Sequence, residues 1–111
     1  MPPERDDLAV AAVARLRAVR AVALATLGPA VAGHPPWDVL LGLRRAPGAL
    51  LPAAVACRLL PRWSSAVRWV RALQSLGLVS GDPRQALAPE TVLRLTPAGR
   101  EKVDACLAAL S

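Results

Sequence analysis

Residues 63–77 read WSSAVRWVRALQSLG, and no other stretch constrains the fold of this chain as tightly. At about 100° per residue, Ser64, Arg68, Arg71 and Ser75 fall within an arc of roughly 60° on a helix, while Ala66, Trp69, Val70, Leu73 and Leu76 gather opposite. Such a helix needs a cover on its apolar side and leaves two cations and two hydroxyls in solvent. Its neighbours add to the constraint. A short apolar segment and Pro61 come before it, and Leu78-Val79, a polar connection and the strand-like run 92–96 come after.

Helix, turn, helix and then a two-stranded wing predict a mainly α domain with a small β-hairpin wing. This is a winged helix-turn-helix of five helices and a two- to three-stranded antiparallel sheet. The 111 residues are enough for one domain with a modest core. With no Phe or Tyr, that core must come from Leu, Val, Ala and three Trp, and the abundance of Ala favours helix.

Local signals place the elements. Asp6 or Asp7 is expected to cap a helix over 8–27, ended by Gly28-Pro29 and carrying Leu8, Val13, Leu16 and Val19 among its apolar residues. A Gly/Pro-rich loop leads to a second helix, PWDVLLGLRR, with Pro36 in its first turn and Asp38 near its positive end. Arg44 and Arg45 suit its negative end, and Trp37, Val39, Leu40 and Leu41 should face inward. After the turn Ala46-Pro47-Gly48, residues 50–60 read as a third, buried helix stopped by Pro61.

Trp63, Ser64 or Ser65 should open the fourth helix, with Gly77 ending it as a C′ glycine. Residues 92–95 form the returning strand. Thr96 and Pro97 cap and start a last helix running to about Leu110, with Val103, Leu107 and Leu110 as its apolar edge. The single domain thus divides into a first helix at 8–27, a winged helix-turn-helix core at 36–96 and a last helix at 97–110.

Net charge is +6, and residues 36–79 alone carry six cations against one anion. A basic focus on a helix-turn-helix is the electrostatic footprint of polyanion binding. Arg68 and Arg71 suit guanine O6 and N7 or phosphate, with Ser64, Ser65 and Arg68 nearer the base-reading end, Arg71 on the backbone and Arg62 on a phosphate. Ser75, Arg84 and Arg94 complete the expected double-stranded DNA contacts.

Three stretches also carry a family likeness: PPWDVLLGL at 35–43, SSAVRWVRALQSLGLV at 64–79 and LRLTPAGREKVDA at 93–105. Their order resembles the small bacterial MarR-like winged-helix regulators. The resemblance implies a homodimer joined by first and last helices and bound to operator DNA, with Ser64, Ser65 and Arg68 entering the major groove and Arg84 in the wing. The wing departs from the family pattern, because Arg84 and Arg94 are its only cations beside Pro83, Leu87 and Pro89.

Other chemistries find little footing. Cys57 and Cys106 are far apart without a CxxC pair, and His34 has no second ligand in sequence reach, so neither a metal nor another cofactor is expected. There is no Ser-His-Asp spacing, phosphate-cradling Gly loop or paired carboxylate, and an enzyme is not expected. Arg15, Arg17 and Arg20 interrupt the apolar run 8–33, and the start, MPPERDD, is acidic; both point to an untargeted chain without a membrane span, and the isolated cysteines to the reducing cytoplasm. Two alternatives stay open: a winged-helix protein-interaction or adaptor module, and a repressor sensing redox state through Cys57, a position where a buried, inert thiol is the usual case. Trp37 and Trp69 read as core, whereas an exposed Trp63 beside Arg62 would become a contact residue.

Overall fold

A computed structural model of the chain describes residues 5–110; the Pro-rich start and Ser111 lie outside the described residues. Among the described residues there are five α-helices: α1 (Arg5–Leu27), α2 (Pro36–Arg45), α3 (Ala53–Ala56), α4 (Trp63–Ser75) and α5 (Pro97–Ala108). Two strands, β1 (Leu50–Pro52) and β2 (Val92–Arg94), pair antiparallel with Leu50 opposite Arg94 and Pro52 opposite Val92. The mainly helical class with a small antiparallel sheet matches the expectation.

The largest correction concerns residues 50–60. The expected helix there splits into β1, the single turn of α3 and a run of turns from Cys57. Pro52 explains the split, since it holds extended backbone (φ −56°, ψ 144°) and cannot donate inside a helix. The ladder to β2 supplies partners for the backbone, and Ala53 N–H continues it by donating to the Thr91 carbonyl at 2.7 Å. Val79 forms a further bridge with Leu95, so the returning segment is flanked on both sides.

The described part of α1 is already helical at Arg5, before the expected start, so Asp6 and Asp7 lie within the helix and not at its cap. Carboxylates there still favour the positive end of the helix dipole. Gly28 closes the helix with a positive φ of 84°. The apolar residues expected to pack do so only near the C-terminal end. Ala23 and Leu27 are buried and Val19 half-buried, whereas Leu8, Val13 and Leu16 are exposed.

Around the rest of the chain one aliphatic core forms. Leu40, Leu43, Leu73, Leu78, Leu93, Val39, Val70 and Val103 are among its fully buried members, and each fully buried Leu or Val contributes about 1.5–3 kcal/mol. Trp37 and Leu41 only flank it, half-buried. α5 packs on both α1 and α2. It starts as expected, with Thr96 Oγ1 accepting from Gly99 N–H at 2.9 Å, and stops at Ala108, leaving Leu110 in a turn and exposed.

Candidate nucleic-acid interface

α4 sits between core and solvent in the manner its sequence demands. Ala66, Val70 and Leu73 are buried, while Ser64, Arg68, Arg71 and Ser75 are all exposed. Arg62 is its N-cap residue and offers no side-chain cap, so Trp63 and both serines lie inside the first turn, not at a cap. Their hydroxyls are therefore not consumed in capping the helix. Ser64 is exposed and Ser65 half-buried, so Ser65 stands apart from the outward face. Leu76, expected on the apolar side, is exposed as well, because it falls past the last helical turn.

The end of α4 is fixed by two backbone bonds. Gly77 N–H donates to the Gln74 carbonyl and Leu78 N–H to the Leu73 carbonyl, each at 3.0 Å, with Gly77 at φ 72°. These are the paired bonds of a Schellman motif, which requires a left-handed residue at Gly77. Leu78 is thereby directed into the core, and the helix cannot slide along its axis without losing that anchor.

Electrostatics separate the cations into two groups. Arg44 is held by Asp104 and Arg84 by Asp82, whereas Arg58, Arg62, Arg68, Arg71 and Arg94 meet no carboxylate among the described residues. Arg68 lies over the Trp69 ring, 5.6 Å from its centroid, a contact that steers the guanidinium without neutralising it. Trp69 is half-buried rather than core, and Trp63 is 36% exposed beside Arg62.

The connection 81–91 differs from an ordinary basic wing. Arg84 Nε and its backbone N–H both donate to Asp82 Oδ1, at 3.2 and 2.9 Å, and the guanidinium beside it holds the Asp82 carboxyl below its usual range. The tip is thus electrically closed on itself. Arg94 lies on the exposed side of β2, its backbone tied to Ser80, and its side chain remains in solvent.

Arg58 escaped the sequence reading. An interior place in an expected helix hid it, yet it sits exposed in the turns before α4 and shares with Arg45 the rim of an open groove of about 500 Å³. Its only sequence signal is its closeness to Pro61, which marks the end of helical structure. Cys57 is buried, and desolvation pushes its thiol up to about 11, so at neutral pH it carries almost no thiolate. His34 Nδ1 lies 2.7 Å from the Asp38 carboxylate, and no cluster of three metal-ligating side chains occurs among the described residues. No described helix is long and apolar enough to cross a membrane.

Comparison of the chain with protein-family profiles, curated proteins and solved structures finds no match.

Proposed function

We propose that this chain is a winged-helix DNA-binding regulator of transcription that engages a partly palindromic duplex site as a homodimer. The observation that carries the reading is the one-sided exposure of α4: two arginines without a carboxylate partner among the described residues and two serines outward, an unbroken aliphatic face inward. Arg68 and Ser64, on the N-terminal half of α4, face base edges in the major groove; Arg71 and Ser75 follow along the phosphates, and Arg62 and Arg58 hold the backbone at the helix entrance. Paired protomers would set two such helices about 34–36 Å apart, in successive major grooves. The likeness of residues 35–43, 64–79 and 93–105 to MarR-like regulators supports the same reading.

The experiment is recovery of DNA crosslinked to the protein across the genome, repeated with the Arg68→Ala/Arg71→Ala variant. Discrete peaks that share a two-fold motif and vanish in the variant are the expected result. Peaks that survive the variant would sink the reading face proposed for α4.

A second reading, a protein-interaction module, is favoured by one pairing. Asp82 occupies Arg84, so the wing tip offers DNA little charge. Under that reading Val55 and Leu59, exposed beside Arg45 and Arg58 in the open groove, form the docking surface. Binding to every duplex that is weak and insensitive to salt is the result that selects it.

A further inference from the structure

We infer that the open groove between α2 and α3 binds a small amphipathic monocarboxylate, with its carboxylate on Arg45 and Arg58 and its aliphatic body on Leu41, Leu51, Val55 and Leu59. The inference goes beyond the DNA reading and does not depend on it, although Arg58 serves both.

The groove holds about 500 Å³, inside the range of about 300–1,000 Å³ found for sites that take one small organic molecule. Its walls come from α2, β1, α3 and the turns around them, and none of its lining residues belongs to α1 or α5. Val55 and Leu59 stand exposed in it, and Leu41 and Leu51 are half-buried. Four aliphatic side chains left partly to water on one concave surface are what the apolar body of a ligand covers.

Gly42 keeps the floor open. It lies inside α2, where glycine is a poor helix former, and its backbone is not in the left-handed region that would call for one. Packing does not call for it either. The nearest neighbour of an added Cβ outside α2 would be the Ala56 carbonyl oxygen at 3.9 Å, an ordinary contact. What the glycine preserves at this point is space between α2 and α3.

Charge selects the ligand. Arg45 and Arg58 are exposed on the lining, come from different elements, and meet no carboxylate among the described residues. Two guanidiniums beside an apolar floor suit a carboxylate, which accepts charge-assisted hydrogen bonds from both. Asp38 is the single anion among the described lining residues, and His34 Nδ1 faces it at 2.7 Å. It lies two helical turns before Arg45 on the same side of α2, about 10.5 Å along the axis. A second carboxylate at the far end of a ligand would come up against it. The groove therefore takes a monoanion with an apolar tail and disfavours the dicarboxylate of the same length.

Two-dimensional NMR of the isotope-labelled full chain tests this, with octanoate, octanol, octylamine and octanedioate as probes. Octanoate should shift the amide signals of Gly42, Val55, Ala56 and Leu59 saturably, with a dissociation constant below about 1 mM. It should bind at least about fivefold more tightly than each of the other three. Arg45→Gln/Arg58→Gln should abolish the preference over octanol while leaving octanol binding as it was. Gly42→Leu should close the groove to octanoate. Gly42→Ala, whose methyl fits the space present, should keep the parent thermal midpoint or raise it and still weaken octanoate about twofold or more.

No saturable shift with octanoate overturns the site. Octanol, octylamine or octanedioate binding as tightly as octanoate overturns the ligand class, as does a double variant that retains the preference. A folded Gly42→Leu protein that binds octanoate like the parent, or octanoate shifts that fall instead at Leu16, Arg20 and Trp37 in the smaller cleft beside α1, removes the ligand from this groove. Groove signals that move with protein concentration before any probe is added put a second copy of the chain there in its place. None of these results bears on the α4 reading face, which the crosslinking experiment tests by itself.

Discussion

Arg44 Nε donates to Asp104 Oδ1 at 2.6 Å across sixty positions of sequence, locking the end of α2 to the middle of α5. The hydrogen bond from Arg44 holds the Asp104 carboxyl below its usual range, with the charges of Arg44 and Arg100 acting in the same direction. A carboxyl depressed in the folded state stabilises fully above its unfolded value, near pH 4, and less as pH falls through the folded value. Urea unfolding from pH 7 to pH 2 should therefore show a midpoint that falls at the acid end in the parent, with a smaller fall in Asp104→Asn. Equal slopes in both proteins would remove Asp104 from the acid response.

Arg68→Ala and Arg71→Ala should each lower affinity for a cognate duplex while leaving the thermal midpoint within about 1–2 °C, since both side chains lie in solvent. Where the lost contact is to phosphate, the slope of log affinity against log salt drops by about 1 for each arginine. Fluorescence anisotropy at four or five salt concentrations reads both quantities. An Arg71→Ala variant with the parent slope places Arg71 off the phosphates.

Gly99→Ala addresses the packing of α5 on the chain that leaves α4. A methyl at Gly99 would run into the Leu78 backbone carbonyl, which cannot turn aside as a flexible side chain would. The expected cost is about 1–3 kcal/mol, as for overpacking elsewhere. Chemical denaturation measures it, and a variant as stable as the parent would show that Leu78 is free to shift.

Thr96 does two jobs with one hydroxyl: it accepts from Gly99 N–H and donates to the Gly77 carbonyl at 2.6 Å. Thr96→Val keeps the shape and deletes both bonds. A loss of about 1–2 kcal/mol is expected, the upper part of the range for a helix cap. Thr96→Ser should retain most of that stability in the same denaturation assay.

Cys57 should be chemically quiet. With its thiol buried and raised to about 11, alkylation at pH 7.5 is expected to be far slower than for free cysteine and to accelerate only on unfolding. Mass spectrometry after a timed exposure to iodoacetamide measures it. Rapid modification of the folded protein would revive a redox role.

How much of this was legible beforehand varied with the reach of the interactions. α4, α2 and the capped start of α5 were readable because periodicity, Pro at the first turn, the Thr96 cap and Gly77 all act within a turn or two of themselves. β1 was not, because Leu50 and Leu51 owe their extended form to β2, about forty residues away, while their apolar run fits a short helix equally well. Ser64, Arg68, Arg71 and Ser75 were found together because one helix carries them all. The pairing of Arg84 was not legible because it depends on how the turn at Asp82 folds back, and Arg58 was hidden inside an element that did not form.

The pairing of Pro52 with Val92 brings the two ends of a long excursion, residues 53–91, to adjacent points on the sheet. Everything outward on α4 belongs to that excursion, so the segment is a cassette whose entry and exit share one clasp. Positions 64, 68, 71 and 75 can be rewritten in such an arrangement while Ala66, Val70 and Leu73 keep the seat and the helices outside the clasp stay as they are. If α4 reads DNA as proposed, specificity and stability are separable in this chain, and a library randomised at those four positions is the natural way to retarget it.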